Sequence, residues 1–255
     1  MKAFVFPGQG SQKPGMGQTL YNEVSESRTL FKKANEILNF NITELMFEGT
    51  VEDLLQTKVT QPAIFIHSAI LAKTSRSFSP DVCAGHSLGE FSALVASNSI
   101  SFEDGLKLVS IRANAMQKAC QDTNGTMAAI LGLSDETIES TCNEIDGVVK
   151  PANYNCPGQL VISGEIKSVE KACEILKEKG ARRALILPVS GAFHSELMSS
   201  AINDLKKGIE ETEFRKPSCP IYQNFTGYPE SEPAKIKINL LSQLTGAVLW
   251  NQSIN

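Results

Sequence analysis

Hydrophobic and polar positions divide the chain into short apolar runs and longer segments with apolar residues at helical spacing. Runs of the first kind predict buried strands, and segments of the second kind predict helices that pack on a core. The first half of the chain alternates between the two, which favours an α/β fold. The predicted strands are 3–6 and 81–84, and the predicted helices are 18–38, 61–74, 90–96 and one that begins after a capping box of Ser101 and Asp104.

The pattern changes at residue 125, where strands and helices follow one another in the order βαββαβ. This order is that of the ferredoxin-like fold. We therefore expect about 125–189 to be a compact insertion in a larger α/β unit made of 1–124 and 190–255, whose next helix begins near His194. The predicted strands of the insertion are 125–133, 148–155, 158–164 and 181–190, and its predicted helices are 134–145 and 166–180.

The composition of the 255-residue chain, with 42% hydrophobic and 20% charged residues, is ordinary for a globular protein. A net charge of −4 with acids and bases interspersed argues against a nucleic-acid partner. No apolar run approaches the ~20 residues of a membrane helix, and the apolar run in MKAFVFPGQG is too short for a signal peptide. Six cysteines without a C-x-x-C pair argue against a metal site or a disulfide framework. We therefore expect reduced thiols and a cytoplasmic location.

A serine lies between two glycines in Gly85-His86-Ser87-Leu88-Gly89. This G-x-S-x-G spacing, with a predicted strand before it and a predicted helix after it, is typical of a nucleophile elbow. The alternative interpretation is a glycine-rich turn with an inactive serine. A serine hydroxyl also needs a general base, which is most often a histidine.

The chain has three histidines, so the candidates for that base are few. His86 adjoins the serine and should leave the turn in another direction, and His67 lies within a predicted helix. His194 remains, between a predicted strand and a predicted helix, where α/β sheets gather catalytic groups. Glu196 and Asp204 are poorly placed to orient it, so a backbone or side-chain carbonyl is expected to do so. The result would be a Ser–His dyad without a buried carboxylate.

Arg112 lies on the apolar face of a predicted helix, where a cation is costly unless it meets an anion. Its neighbours at helical spacing are Leu108, Val109, Ala115 and Met116. One interpretation is a structural ion pair or a side chain that extends to water. The other is a bidentate clamp for a substrate carboxylate, because the planar guanidinium matches both carboxylate oxygens. An acyl donor with a free distal carboxylate would suit that clamp.

Five motifs occur in this order along the chain: FPGQGSQ, GHSLGE, R-x-x-x-MQ beginning at Arg112, NYNCPGQLVISG and GAFHS. Together they resemble the malonyl-CoA:acyl-carrier-protein transacylases and the related acyltransferase domains of polyketide synthases, over nearly the whole chain. The resemblance implies an α/β-hydrolase-like large subdomain with an inserted ferredoxin-like small subdomain. It also implies malonyl transfer from malonyl-CoA to the phosphopantetheine thiol of an acyl carrier protein, by a ping-pong Ser–His mechanism without cofactor or metal.

The same resemblance suggests a role for individual residues. Phenylalanine at position 193 accompanies a preference for malonyl over methylmalonyl groups in related acyltransferases. The implied roles are Ser87 as the acylated nucleophile, His194 as its base, Gln9 and Leu88 as backbone donors of an oxyanion hole, Arg112 as the substrate clamp, Gln243 as the residue whose carbonyl orients His194, Phe193 as the specificity residue, and Asn153 and Asn155 as contacts for the CoA or carrier arm.

Several alternatives stay open at this point. The activity expected is that of an [acyl-carrier-protein] S-malonyltransferase (EC 2.3.1.39) in fatty-acid biosynthesis, and a trans-acting polyketide acyltransferase is the alternative. A serine hydrolase such as a thioesterase, or a non-catalytic carrier-docking module, are the rival classes. Family members usually continue past Trp250 through a strand and a helix, so the C-terminal end is expected to be short for the family. Basic residues that could meet an acidic carrier, or could form an ordinary solvated face, are Lys171, Lys177, Lys179, Arg182 and Arg183.

Overall fold

The computed structural model describes residues 1–255 as a mixed α/β protein. Two short 3-10 helices, Asp53–Leu55 and Glu196–Ala201, accompany the regular elements. The strands are β1 Ala3–Phe6, β2 Val82–Gly85, β3 Gly125–Leu131, β4 Val149–Cys156, β5 Gln159–Glu165, β6 Arg183–Ile186, β7 Ile221–Tyr222 and β8 Pro229–Glu230. The helices are α1 Gln18–Glu23, α2 Ser25–Leu38, α3 Ile42–Glu48, α4 Thr57–Thr74, α5 Gly89–Ala96, α6 Phe102–Asp122, α7 Asp135–Asn143, α8 Ile166–Glu178, α9 Ile202–Glu211, α10 Pro233–Gln243 and α11 Trp250–Ile254.

The chain forms two compact units, each assembled from several segments. The predicted division at about 125 and 189 follows the βαββαβ order alone and stays a prediction. The first unit comprises Met1–Asn114, Asp204–Gln223 and Pro229–Lys237, and the second comprises Ala115–Asn203, Asn224–Tyr228 and Ile238–Asn255.

The first unit is built around a four-stranded sheet in the order β1-β2-β7-β8. β2 pairs in parallel with both β1 and β7, so it is an internal strand. Every residue of α5 is buried, as are most residues of α4. A helix that is apolar on all sides has to lie inside the protein. The segment from β2 to α5, which carries the serine motif, is therefore held in the core of this unit.

The second unit contains an antiparallel sheet in the order β4-β5-β3-β6. One face of this sheet packs against α7 and α8, because alternate residues of the strands point to the same side. The buried cluster between sheet and helices includes Ala128, Ile130, Leu160, Ile162, Ile138 and Leu176. Ser134 caps α7 as predicted, its hydroxyl accepting a hydrogen bond from the backbone N–H of Thr137.

Most of the predicted elements are confirmed, and two are wrong. The predicted helix 18–38 is two helices, because Val24 is extended and the Ser27 hydroxyl bonds to backbone carbonyls at the break. The predicted strand 181–190 covers only β6, since Pro188 follows closely and has no N–H to donate to a sheet. His194 is consequently in an irregular segment, and the helix expected near it begins as a 3-10 turn at Glu196.

Some features of the molecule have no counterpart in the sequence prediction, namely β7, β8, α3, α10 and α11. These elements are short or only weakly periodic, so the apolar pattern carries little information about them.

All six cysteines are free thiols. No helix combines the length and the apolar character that are needed to cross a bilayer.

Candidate active site

Ser87 occupies a sharp turn between β2 and α5 in the first unit. Its φ of 51° lies in the left-handed region, which costs free energy for a residue with a side chain. The turn is closed by backbone hydrogen bonds from Gly89 N–H to His86 O at 2.9 Å and from Glu90 N–H to Ser87 O at 3.2 Å. Such strain is characteristic of a nucleophile elbow, which presents a hydroxyl at the top of a strand.

Glycines make this turn possible because the backbone segments around it are in close contact. A Cβ at Gly85 would lie 1.9 Å from the carbonyl carbon of Gly89, and a Cβ at Gly89 would lie 2.2 Å from the Phe6 carbonyl oxygen. A Cβ at Gly8 would lie 2.6 Å from the carbonyl oxygen of His86. The loop after β1 is thus packed directly against the serine turn, and only glycine fits at these three positions.

Arg112 is buried in α6 with 1% of its surface exposed. Its Nη1 donates to Oε1 of Gln61 at 2.7 Å, and its Nη2 donates to Oγ of Ser87 at 3.0 Å. The guanidinium carbon also lies 5.7 Å from the ring centre of Phe91, within the range of a cation–π contact. The prediction that Arg112 points inward is confirmed. Its planar fork is aimed at the serine hydroxyl and is held on the other side by a neutral amide.

The charge of Arg112 is retained despite its burial. Burial lowers the pKa of the guanidinium to about 10, and the negative charge of Glu90 opposes that shift. The group is therefore protonated at neutral pH. Glu90 is itself fully buried, and it accepts a hydrogen bond from Nε2 of Gln223.

The two backbone groups expected to form an oxyanion hole, those of Gln9 and Leu88, are in the first unit. Neither N–H takes part in the backbone hydrogen bonds of the surrounding loops and turns. The loop of Gln9 is shaped by hydrogen bonds from the Ser11 hydroxyl to Gly8 O at 2.8 Å and from Gly10 N–H to the Gln12 side chain at 2.8 Å.

His194 lies in the second unit and is 3% exposed. Its Nδ1 is 2.8 Å from the backbone carbonyl oxygen of Gln243. A carbonyl can only accept a hydrogen bond, so Nδ1 carries the hydrogen and Nε2 is the basic nitrogen of the neutral ring. Like Ser87, His194 has a left-handed backbone, with φ 60°. The other two non-glycine residues with positive φ are asparagines, which tolerate it well.

Contacts around His194 and Gln243 involve one further side chain, Lys150 of β4. Its Nζ is 3.3 Å from the carbonyl oxygen of Thr245 and 3.6 Å from a carboxylate oxygen of Glu196. These two partners stand two residues beyond Gln243 and His194 respectively. Lys150 therefore links the segment that carries the imidazole to the segment that carries its carbonyl partner.

The remaining predicted site residues also lie in the second unit. Phe193 is buried next to His194 in the chain, with 6% of its surface exposed. Asn153 and Asn155 are on β4, where Asn153 forms a parallel bridge with Val248. The Oδ1 atom of Asn153 is buried without a hydrogen-bond partner. That uncompensated acceptor is consistent with a ligand donor, because buried acceptors are normally satisfied.

The other candidates from the sequence lie on different elements from Ser87 and His194. His67 is within α4, and burial lowers the pKa of its imidazole, with the charge of Lys13 as a smaller cause. No group of three or more His, Cys, Asp or Glu side chains is arranged to hold a metal ion. The five basic residues considered for carrier binding are exposed, although Lys179 pairs with Glu144 at 3.5 Å.

Sequence reasoning missed Gln61, Glu90, Gln223 and Lys150. Gln61 and Glu90 are polar residues in helices that are otherwise buried, and such a polar residue in an apolar run is a signal of a specific partner. Gln223 and Lys150 gave no such signal, because their partners are far away in the chain. The predicted site residues thus form two groups. The group in the first unit joins Ser87 to Arg112, and the group in the second joins His194 to Gln243.

Comparison with known proteins shows the family to which this chain belongs. The model of the acyl transferase domain family matches residues 3–254. The chain is 44% identical over 258 residues to the malonyl CoA-acyl carrier protein transacylase of Bacillus subtilis (strain 168), covering 99% of this chain and 81% of the relative.

Solved structures agree with that sequence similarity. An acyl carrier protein S-malonyltransferase from Vibrio cholerae superposes with a TM-score of 0.94 at 42% identity, covering 99% of this chain and 84% of the other. A malonyl-transacylase in complex with its type II PKS acyl-carrier protein superposes with a TM-score of 0.94 at 37% identity, covering 99% and 83%.

Proposed function

Because this chain belongs to the acyl transferase family, we propose that it transfers a malonyl group from malonyl-CoA to the phosphopantetheine thiol of an acyl carrier protein. The activity is that of an [acyl-carrier-protein] S-malonyltransferase, EC 2.3.1.39. One observation carries the choice of acyl group: a buried, protonated guanidinium donates a hydrogen bond to the hydroxyl of Ser87. A cation beside the acylated oxygen favours an acyl group that ends in a carboxylate.

In the first half of the reaction, Ser87 Oγ attacks the thioester carbonyl of malonyl-CoA. His194 Nε2 accepts the hydroxyl proton, and the hydrogen bond from Nδ1 to Gln243 O stabilises the imidazolium that forms. The C–S bond then breaks, and the proton passes from Nε2 to the departing CoA sulfur. The products are the malonyl ester of Ser87 and free CoA.

Negative charge develops on the carbonyl oxygen during this attack. We assign its stabilisation to the backbone N–H groups of Gln9 and Leu88, which are free of other backbone bonds. In enzymes of this chemistry one such donor contributes about 3 kcal/mol to transition-state stabilisation. The role needs no side chain at either position, so substitutions of Gln9 that keep the loop should be tolerated.

The distal carboxylate of malonyl is assigned to Arg112. The guanidinium keeps Nη1 on Gln61, while Nη2 exchanges the Ser87 hydroxyl for a carboxylate oxygen. This exchange releases the serine hydroxyl from a donor that would weaken its nucleophilicity. Binding of a carboxylate and activation of the nucleophile are therefore coupled.

In the second half, the carrier thiol replaces CoA. His194 Nε2 takes the thiol proton, the sulfur attacks the malonyl ester, and the proton returns to Ser87 Oγ as the ester bond breaks. Phe193 is assigned to the preference for malonyl, and Asn153 and Asn155 to the pantetheine arm; the buried, unbonded Oδ1 of Asn153 supports the latter. No cofactor or metal takes part in these steps.

The finer architecture is proposed on the same basis. We assign 125–189 to a ferredoxin-like small subdomain, supported by the strand order β4-β5-β3-β6 with α7 and α8 on one face. We assign 1–124 and 190–255 to an α/β-hydrolase-like subdomain, supported by the turn from β2 to α5. Fatty-acid biosynthesis in the cytoplasm is the proposed setting, and six free thiols are consistent with it.

Mass spectrometry of the intact protein after incubation with malonyl-CoA tests this function. The expected result is a single malonyl adduct that disappears when a phosphopantetheinylated carrier protein is added, with the malonyl group recovered on the carrier. Adduct loss to water at the same rate without the carrier would identify a thioesterase. A protein that never forms the adduct would instead be a docking module, and either result contradicts the proposal.

A further inference from the structure

The hydrogen bond between His194 and Gln243 joins two segments of the second unit that are 49 positions apart in the chain. His194 lies in the irregular segment after β6, and Gln243 is the last residue of α10. A hydrogen bond fixes the tautomer of an imidazole only while its acceptor stays in place. The contacts that hold the two segments together therefore decide how well the imidazole is oriented.

The segment of His194 is anchored on its N-terminal side by close packing. A Cβ at Gly191 would lie 2.2 Å from the sulfur of Cys120, so the backbone here is in direct contact with α6. His194 itself has a left-handed backbone, with φ 60°. A strained conformation of this kind persists only where the surrounding structure fixes it. The C-terminal side of the segment is held by a different contact, which is made by a side chain of β4.

The segment that follows α10 is also held by β4. Two backbone hydrogen bonds join Val248 to this strand, from its N–H to Ala152 O at 2.8 Å and to its carbonyl oxygen from Tyr154 N–H at 2.9 Å. A third contact, from the side chain of Lys150 to the backbone of Thr245, lies nearer to the end of the helix. β4 therefore fixes the position of this segment.

Lys150 contacts both segments. Its Nζ lies 3.6 Å from a carboxylate oxygen of Glu196, which is two residues beyond His194. It also donates to the carbonyl oxygen of Thr245 at 3.3 Å, two residues beyond Gln243. The lysine side chain is 38% exposed and that of Glu196 is 58% exposed, so the ion pair adds little to the stability of the fold. What the two contacts determine is the distance between the segments.

We propose that Lys150 is a positioning residue that holds the carbonyl of Gln243 against Nδ1 of His194. It acts through Glu196 and Thr245 and touches no reacting atom. This inference rests on the proposed function, since it takes His194 as the base of acyl transfer. A hydrogen on Nδ1 leaves the lone pair on Nε2, whereas the other tautomer carries a hydrogen on the nitrogen that has to accept the serine proton.

This role has a consequence that a merely structural ion pair lacks. Without the lysine contacts the carbonyl can move away from Nδ1, and the imidazole then also populates the tautomer with its hydrogen on Nε2. The rate falls in proportion to the fraction of protein that keeps the productive tautomer. A structural pair would change the melting temperature and leave the tautomer as it is.

The test is nitrogen NMR of protein with isotope-labelled histidine, at a pH where the imidazole is neutral, because the shifts of the two ring nitrogens report the tautomer. The signals of His194 are assigned by their loss in His194→Gln. We expect the Nδ1–H tautomer to predominate in the unchanged protein and to fall to roughly a third of the neutral population in Lys150→Met, with a matching loss of kcat. Lys150→Arg should restore it. An unchanged tautomer in Lys150→Met would overturn the proposal.

Lys179 provides a matched control in the same unit. Its Nζ lies 3.5 Å from a carboxylate oxygen of Glu144 and donates to Oγ1 of Thr141 at 2.9 Å, so it too joins a carboxylate to a neutral oxygen. Lys179→Met makes the same chemical change without touching the segments of the imidazole and its carbonyl partner. It should leave the tautomer unchanged. A shift equal to that of Lys150→Met would mean general loosening of the unit and would contradict the inference.

A second variant keeps the test decisive if Lys150→Met does not fold. Glu196→Ala breaks the same link at its other end and should shift the tautomer in the same direction, and the absence of a shift would contradict the inference. Failure here can be separated from failure of the proposed function. A protein whose tautomer ignores both variants, but which still forms the malonyl adduct on Ser87, keeps the function and lacks this role for Lys150. A protein that forms no adduct lacks the function, whatever its tautomer.

Discussion

The two units hold their candidate catalytic groups in different ways. Around Ser87 the first unit buries opposite charges, Arg112 and Glu90, whose fields do not depend on fine geometry. Around His194 the second unit provides the neutral backbone carbonyl of Gln243, whose oxygen is 2.8 Å from Nδ1 of the imidazole. A carbonyl acts only through direct hydrogen bonding. Charge selects what is bound, whereas a carbonyl selects a tautomer and an orientation.

This difference predicts two classes of effect under the proposed mechanism. Changes near Arg112 should discriminate between acyl groups, because only some acyl groups have a carboxylate. Changes that disturb the His194–Gln243 pair should affect all acyl groups alike, because every transfer needs the same base.

The largest effect is expected for Ser87→Ala, which removes the attacking oxygen. The covalent malonyl adduct should be absent by intact mass, and transfer to the carrier should fall by roughly a thousandfold or more. Ser92→Ala is a matched control, because Ser92 is a buried serine of α5 whose hydroxyl has no hydrogen-bond partner. An adduct in the Ser87 variant, or its loss in the Ser92 variant, would show that Ser87 is not the nucleophile.

Arg112→Ala should lower kcat/KM for malonyl-CoA by about a hundredfold while sparing acetyl-CoA, because a neutral acyl group has nothing to bind to the guanidinium. Steady-state kinetics with both thioesters measures the ratio. Arg112→Lys keeps a cation without the planar fork, so its kcat/KM for malonyl-CoA should lie between that of the unchanged protein and that of Arg112→Ala. Equal losses with both thioesters would make Arg112 a structural residue and remove the contrast between the units.

Phe193→Ser tests a residue that belongs to the second unit but is assigned to substrate choice. Removing a buried ring should open space beside the acyl α-carbon and raise the use of methylmalonyl-CoA relative to malonyl-CoA by about tenfold. Competition between the two thioesters gives the ratio of kcat/KM values directly. Phe193→Leu retains most of the bulk and serves as the control. An unchanged ratio in the serine variant would leave the second unit without a role in selecting the acyl group.

The comparison also explains which parts of the site were predictable from the sequence. The surroundings of Ser87 are encoded locally, since a strand, two glycines and a helix follow one another within a few residues. The inward position of Arg112 was readable as well, because its neighbours at helical spacing are apolar and all four are buried. A motif of contiguous residues can therefore be recognised, and its local structure predicted, from the sequence alone.

The surroundings of His194 could not be predicted in this way. Its carbonyl partner is 49 positions away in the chain, and no periodicity marks a backbone oxygen as an acceptor. The helix predicted to begin near His194 begins as a 3-10 turn at Glu196, because an irregular segment separates it from β6. The Gln223–Glu90 hydrogen bond spans 133 positions and was likewise invisible. Only the resemblance to a family pointed to Gln243.

The smallest effect is expected at Lys150, and it tests the second unit most specifically. Lys150 links Glu196 to Thr245, the residues two beyond His194 and Gln243, through contacts that are partly exposed. A partly exposed ion pair contributes little stability, so Lys150→Met should fold normally and lose roughly threefold in kcat/KM. The loss should be the same for malonyl-CoA and acetyl-CoA, because the base serves both. Lys150→Arg keeps the charge and should restore most of the rate. A loss confined to malonyl-CoA would show that the second unit also senses the carboxylate, and the proposed separation between carboxylate recognition in one unit and proton transfer in the other would fail.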